Sequence, residues 1–373
     1  MVGAGPAGCA AALEARRLRP DAAVLLLDKA AFPRDKPCGD GIGPHAVDEL
    51  EALGAGAVLA GYPPIRRLRL RSPRGLEAAG EPARPSHVVP REVLDARLVE
   101  LAAGRGVPVR RHKVRRLEQR RRDGLVVVDG ELAARVVVGA DGANSAVRRL
   151  LGAPANPHRA TAVALRGYAP AAGAADAQLI AWVAEGWPAY LWWFPTGTGL
   201  ANVGYGLLRS RLRGGRAELE ARLRAGLPQA GDPAGLRAHH LPFSSSRPPP
   251  GRGRVLLAGD AASLVNPLSG EGIYYALASG RLAAAAAIAA PARAADAYRR
   301  LLARAFGRHL RHAAVLAWAV RSRALAEAGL AAAGADPAVF QTLVEAGLGQ
   351  ARITPRLLAA LPGGLVRARL SRS

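Results

Sequence analysis

Met1-Val2-Gly3-Ala4-Gly5-Pro6-Ala7-Gly8, read together with Asp28, decides the fold. Gly3, Gly5 and Gly8 make a G-x-G-x-x-G turn that runs into an Ala-rich helix, Cys9 to Leu18. In such a turn the first glycine permits the tight bend and the second lets backbone approach a pyrophosphate. The third lets the helix pack close to a strand, and the helix N-terminus offers partial positive charge to the anion. Ala22 to Leu27 reads as a buried strand ending at Asp28, twenty residues beyond Gly8, where a carboxylate accepts a ribose hydroxyl. The motif ordinarily closes a strand of about five residues, and here only Met1 and Val2 stand before it. A start placed too late is the favoured reading; a damaged nucleotide site is the other.

The 373 residues suffice for two or three subdomains with real cores, and a chain half hydrophobic and 22% charged is globular. The net charge of +23 comes almost wholly from arginine, since only Lys29, Lys36 and Lys113 are lysine. Coding bias is the bland explanation. Attraction to a diphosphate, an acidic membrane surface or nucleic acid is the functional one. The arginine clusters at 66–74, 110–122 and 299–323 lack the interleaved aromatics of a nucleic-acid platform, so no nucleic acid is expected. Cys9 and Cys38 alone argue against a disulfide scaffold. With no secretory signal, and with Leu282 to Ala292 too short to span a bilayer, a cytoplasmic placement is expected, with contact at a membrane surface at most.

Outward from Asp28, the segment from Lys29 to Pro44 is a loop of prolines and glycines that carries Cys38 beside Arg34 and Lys36. A cysteine so placed could have a lowered pKa and approach a ligand, or be an ordinary loop thiol. Ile65 to Leu70 alternates apolar residues with arginine and turns at Ser72-Pro73-Arg74-Gly75 into a hairpin. Arg91 opens a helix to about Ala103 with Val93, Leu94, Leu98 and Leu101 inward, and either reaches a cofactor or is a solvated charge. Val107 to Leu117 and Leu125 to Val128 look like strands. Leu132 to Val138 is a buried strand leading to Gly139-Ala140-Asp141-Gly142, where the acid is ligand-facing or a helix cap.

Four of the five tryptophans fall between Trp182 and Trp193. Strand alternation puts Tyr190, Trp192 and Phe194 on one face and Leu191 and Trp193 on the other. That face either lines a long apolar pocket or is the core of a β-domain. After the Pro248–Gly251 linker, the strand Arg254 to Ala258 ends in Gly259-Asp260. Asn266-Pro267-Leu268-Ser269-Gly270-Glu271-Gly272-Ile273 then opens a long helix whose N–H groups suit a negatively charged ring edge. From Ala294 the chain is helical, with Leu301, Leu302, Phe306, Leu310, Val315 and Trp318 opposite Arg300, Arg304, Arg308 and Arg311. A solvated face over a core is favoured there over a lipid-facing one.

Three separated motifs together resemble the flavoprotein hydroxylase superfamily: Gly3-x-Gly5-x-x-Gly8 with Asp28, Gly139-Ala-Asp141-Gly142, and Gly259-Asp260 with Pro267-x-x-Gly270-x-Gly272. Within it, Lys36-Pro37-Cys38-Gly39 and Tyr190-x-Trp192-x-Phe194-Pro195 followed by Val203-Gly204 resemble the geranylgeranyl reductases, which reduce isolated double bonds of prenyl chains. Asp40 departs from the pattern, standing where the family usually has another glycine. The resemblance implies an α/β fold: a discontinuous, p-hydroxybenzoate hydroxylase-like Rossmann FAD-binding domain (1–62, 85–156 and 248–290), an inserted antiparallel β-sheet substrate domain (63–84 and 157–247) and C-terminal helices (291–373). It implies FAD held by Gly3, Gly5, Pro6, Ala7, Gly8, Asp28, Lys29, Cys38, Gly39, Arg91, Asp141, Gly259, Asp260, Gly270, Gly272 and Ile273, with no metal. Cys38 falls on the family's active-site cysteine, and Tyr190, Trp192 and Phe194 would line a prenyl tunnel.

The expected reaction is reduction of a prenyl C=C bond on a diphosphate, lipid, chlorophyll or quinone, with NAD(P)H or ferredoxin as electron donor. An FAD-dependent monooxygenase or halogenase is the alternative, although a W-x-W-x-I-P pattern would need tryptophan at Tyr190. A flavin-less lipid-binding remnant is the third reading.

Overall fold

The computed structural model describes residues 1–120, 122–171, 176–350 and 352–370. Residues 121, 172–175, 351 and 371–373 lie outside the described residues, and with them parts of the 110–122 arginine cluster and of the C-terminal region.

The first helix begins at Pro6 and runs to Leu18, three residues ahead of the expected start, because proline at a helix's first position loses no hydrogen bond. Its small residues let the Ile273–Ala289 helix lie almost against its backbone: a Cβ on Gly280 would come within 2.2 Å of the Ala7 carbonyl oxygen. Val2 fills the slot between two pieces of parallel sheet. It bridges Leu27 on one side and Gly139 on the other, with Val2 N to Val138 O at 2.8 Å and Gly3 N to Leu27 O at 2.6 Å. The strands that flank it are shorter than expected, Leu26–Asp28 and Val137–Gly139, and each pairs outward in parallel, with Val109–Arg111 and Val255–Leu257. Leu132 to Val138 is therefore two strands rather than one, Leu132–Ala134 belonging to a separate antiparallel sheet.

The second layer is a seven-stranded sheet joining Thr161–Pro170, Ala177–Val183, Ala189–Pro195, Leu200–Leu208 and Ala234–Pro242 to the hairpin Arg67–Arg71/Glu77–Gly80. Register assigns its faces. Trp192 lies opposite Gly204 and Ile180, Gly204 opposite Arg166, Tyr190 opposite Gly206, and Phe194 opposite Asn202. These side chains share the face turned toward the nucleotide-type domain. The other face, with Leu191, Val203, Tyr205 and Leu207, is covered by Leu219, Leu223 and Leu227 in and just beyond the Gly215–Gly226 helix.

The last helices, Arg323–Ala335, Pro337–Leu348 and Pro355–Leu370, pack Leu330, Val339, Phe340, Val344 and Leu357 against Leu70 and Ala78 of the hairpin. They close the inner face along its hairpin side. On the Ala294–Ala319 helix, Leu302, Phe306 and Leu310 are buried as expected, but Val315 and Trp318 are not: Trp318 is 67% exposed, because the helix runs beyond the core it covers. Among the described residues no helix is long and apolar enough to cross a membrane.

Candidate active site

A cavity of about 540 Å³ runs between the two layers, from Gly3 and Asp28 past Cys38 to Tyr190, Trp192, Phe194, Ile180 and Leu348. Gly3, Gly5, Pro6, Ala7, Asp28, Lys29, Cys38, Gly39, Arg91, Asp141, Gly259, Asp260, Gly270, Gly272 and Ile273 all line it.

At one end the wall is backbone. Gly3 has φ +98°, and a Cβ there would fall 2.3 Å from Ala140 O; one on Gly8 would fall 1.8 Å from Gly3 O. Gly8 is thus buried in the turn, holding it, rather than facing the cavity. Gly5 is the open position, facing the guanidiniums of Arg34 and Arg91 at 3.6 and 3.8 Å from where its Cβ would stand. Asp28 accepts from the amides of Ala4 (2.8 Å) and Ala30 (2.9 Å), so it also ties the turn to the strand that follows. Asp141 accepts from the Ser145 hydroxyl and the amides of Ala146 and Val147, so it helps Ser145, the N-cap, to satisfy the first turn of the short Ala146–Leu150 helix while lining the cavity.

Arg91 is buried rather than solvated. It pairs bidentately with fully buried Asp95 at 2.7 and 2.8 Å, and Arg34 reaches the same carboxylate at 3.1 Å. Arg34 also stands 3.9 Å from Asp28, so the two guanidiniums share two carboxylates; what faces Gly5 is their N–H groups beside the first helix's N-terminus, donors that an anion can use. Asp95 stands four residues after Arg91, a spacing that could have revealed it. Lys36 holds Asp260 at 3.1 Å; burial opposes ionisation there, but Lys36 and His239 outweigh it and keep the carboxyl below its ordinary range.

Of the two readings of Cys38, the lowered pKa does not hold. Burial raises its thiol above the ordinary value and outweighs Arg91 and Lys36, so the group stays protonated near neutral pH. Arg91 and Lys36 pull the other way, so positive charge stands near a thiol that could give up a proton.

The other end is made of side chains. A Cβ on Gly204 would lie 2.0 Å from Trp192 Cζ2, so the glycines of the Leu200–Leu208 strand exist to seat the indole. Trp192 Nε1 donates to Asn202 Oδ1 at 2.7 Å, and Phe194 lies over Gly39 and Gly41. Tyr190 donates to Ser269 O at 2.9 Å, pinning the Gly270 loop from below. Gln178, accepting from Ser86 at 2.9 Å, and Leu348 complete the wall. The sequence reading missed Asn202, although alternation with Gly204 and Gly206 places it on the inner face. It missed Leu348 because no motif marks the C-terminal helices. Ser269 and Asn266 both donate to Gly347 O, tying those helices to the cofactor-side loop.

Comparison with known proteins agrees with this architecture. The family model described as "FAD binding domain" matches residues 1–199. The chain is 38% identical to menaquinone reductase of Mycobacterium tuberculosis (strain ATCC 25618 / H37Rv) over 307 residues, 76% of this chain and 74% of that protein. It is 32% identical to digeranylgeranylglycerophospholipid reductase 1 of Methanopyrus kandleri, over 78% of this chain and 80% of that one. The crystal structure of a geranylgeranyl bacteriochlorophyll reductase-like protein from Thermoplasma acidophilum superposes with TM-score 0.78 at 20% identity, covering 99% of this chain and 98% of that one.

Proposed function

The chain belongs to the geranylgeranyl reductase family of FAD-dependent oxidoreductases, and on that premise we propose that it saturates a C=C bond in the prenyl chain of a quinone. The observation that carries this reading is the largely apolar and aromatic wall of Tyr190, Trp192, Phe194, Ile180 and Leu348 in the same cavity as the Cys38 loop. An alkene has no polar handle, so an aromatic-lined tunnel is what can orient it. Along this stretch Lys36 is paired with Asp260 and Arg84 with Asp48, which suits a neutral head group. The relative named for menaquinone supports the same class of substrate.

The turn at Gly3, Gly5 and Gly8 fits the FAD pyrophosphate, with Arg34 and Arg91 as its counter-charges. Asp28 would take the ribose, and the Gly270–Ile273 backbone would take the edge of the ring system. Bound there, reduced FAD supplies a hydride. The chain's own work is to exclude water with the aromatic wall, to hold the alkene against the ring, and to give a proton from Cys38 to the second carbon. Reduced holoprotein incubated anaerobically with menaquinone tests this by mass spectrometry. A gain of two hydrogens in the prenyl tail is expected; unchanged tail and head would contradict the reading, and loss of the product in Cys38→Ala would support the proton role.

A further inference from the structure

The Ala294–Ala319 helix outruns the core it covers, and Trp318 stands past that edge. Arg300, Arg304, Arg308, Arg311, Val315 and Trp318 recur every three or four residues, so they share one stripe of the helix, about 27 Å long. All six are exposed, Val315 by 51% and Trp318 by 67%. From Tyr298 to Ala326 the sequence holds seven arginines and no acidic residue. Arg299, off the stripe, pairs with Asp296 at 3.0 Å; among the described residues none of the four stripe arginines has a carboxylate partner.

At its end the stripe widens into an apolar tip. In the turn after the helix, Arg321 O accepts from Trp187 Nε1 at 3.0 Å, and the Arg323 guanidinium lies 5.6 Å from the Trp187 ring centre. Trp187 comes from the connection between the Ala177–Val183 and Ala189–Pro195 strands, so two distant parts of the chain bring tryptophans to one edge. Leu325, 36% exposed, opens the next helix. A row of unpaired cations that ends in exposed apolar side chains matches a partner with extended negative charge beside an apolar layer. A bilayer containing anionic lipid has both: phosphates for the guanidinium forks, and below them the zone where indole rings settle. A nucleic acid would meet the arginines but leave Val315 in water. A second copy of this chain would bring the same positive charge, +23 over the whole molecule.

We propose that this edge seats the protein on an anionic lipid bilayer, with Trp318, Val315 and Trp187 at the level of the upper acyl chains and Arg304, Arg308 and Arg311 on lipid phosphates beside them. The Ala294–Ala319 helix then lies along the surface rather than through it. Neither half of the edge suffices alone: the apolar tip is small, and arginines in high dielectric hold phosphates weakly and in a salt-dependent way. Together they give a reversible attachment that reads lipid charge. The proposal goes beyond the prenyl-reduction reading and does not depend on it.

The test is co-sedimentation of the flavin-loaded full chain with vesicles of phosphatidylcholine, alone or mixed with phosphatidylglycerol, at low and high salt. Wild type should bind the mixed vesicles about tenfold or more tightly than the neutral ones, and lose most of that preference in high salt. Replacing Arg304, Arg308 and Arg311 together by glutamine should weaken binding to the mixed vesicles about a hundredfold and flatten the salt dependence. Val315→Ser with Trp318→Ser should weaken it about tenfold and leave the salt dependence as it was. Leu18→Ser is the control: that leucine is 41% exposed among Arg16, Arg17 and Arg19 on the first helix, and its loss should change nothing. All these side chains are exposed, so full flavin absorbance in each variant shows that the fold is intact. Equal binding to neutral and anionic vesicles, or edge variants that bind as wild type does, would overturn the proposal. A wild-type dimer in sedimentation equilibrium that Trp318→Ser dissolves would also overturn it, by assigning the edge to a second copy. Vesicle binding is read without turnover, so protein that leaves prenyl bonds untouched would contradict the prenyl-reductase reading and not this one.

Discussion

At the Gly3–Gly8 end of the cavity the wall is main chain, shaped by what is missing from side chains. At the Tyr190–Phe194 end it is side chains, seated by glycines on the neighbouring strand and closed by helices more than a hundred residues further along. The first end presents amides and paired guanidiniums to an anion. The second presents aromatic faces and a few buried polar groups. One end thus recognises a nucleotide by geometry common to many chains, and the other selects a substrate by packing particular to this one.

That contrast can be broken at either end. Gly8→Val would force a side chain into the Gly3 carbonyl, where even a Cβ has only 1.8 Å. The purified protein should be colourless, and a variant with full flavin absorbance would show that the turn does not hold the cofactor. Gly204→Val displaces the Trp192 indole, whose nearest atom is 2.0 Å from the added Cβ. Flavin content should stay normal while turnover falls about a hundredfold, as misplacement by about an ångström costs. Loss of flavin together with turnover would mean that the two ends are not separable.

Glu271 sharpens the boundary between the ends. It is buried at the head of the Ile273–Ala289 helix, accepting from Tyr274 N at 2.8 Å, and burial pushes it from 4.5 up to about 7. Since the folded-state value is the higher one, its favourable contribution is complete below pH 4.5 and lost as pH rises through about 7. In the flavin-free protein, Glu271→Gln should therefore gain about 3 kcal/mol at alkaline pH relative to wild type, and nothing in acid. Denaturant midpoints at several pH values check this; a gain independent of pH would exclude the titration. The smallest effect is expected at the far wall. Leu348→Ala removes three carbons, about 2 kcal/mol of apolar contact at most, and should raise KM with kcat unchanged.

The same division explains what could be read from the amino-acid sequence. A turn made of absent side chains must be written as glycines at fixed spacing, so Gly3, Gly5, Gly8 and Gly270 were legible, as was the alternation of Tyr190, Trp192 and Phe194. Asn202, Tyr168 and Arg166 meet the Cys38 loop through side-chain hydrogen bonds across more than 120 residues of sequence, which no local pattern records. The lowered pKa considered for Cys38 does not hold, because neighbouring lysine and arginine are visible in sequence while burial is not. At the first strand position, Val2 makes ladder contacts with both neighbouring strands and Met1 with the Leu26–Asp28 strand.

The central claim is that one cavity brings reduced flavin and a prenyl alkene together. It is tested most directly by stopped-flow absorbance of the dithionite-reduced holoprotein mixed with menaquinone under strict anaerobiosis. The account predicts that oxidised-flavin absorbance returns without oxygen, in step with formation of the saturated prenyl bond. Flavin that stays reduced until air is admitted would contradict it and point to oxygen chemistry instead.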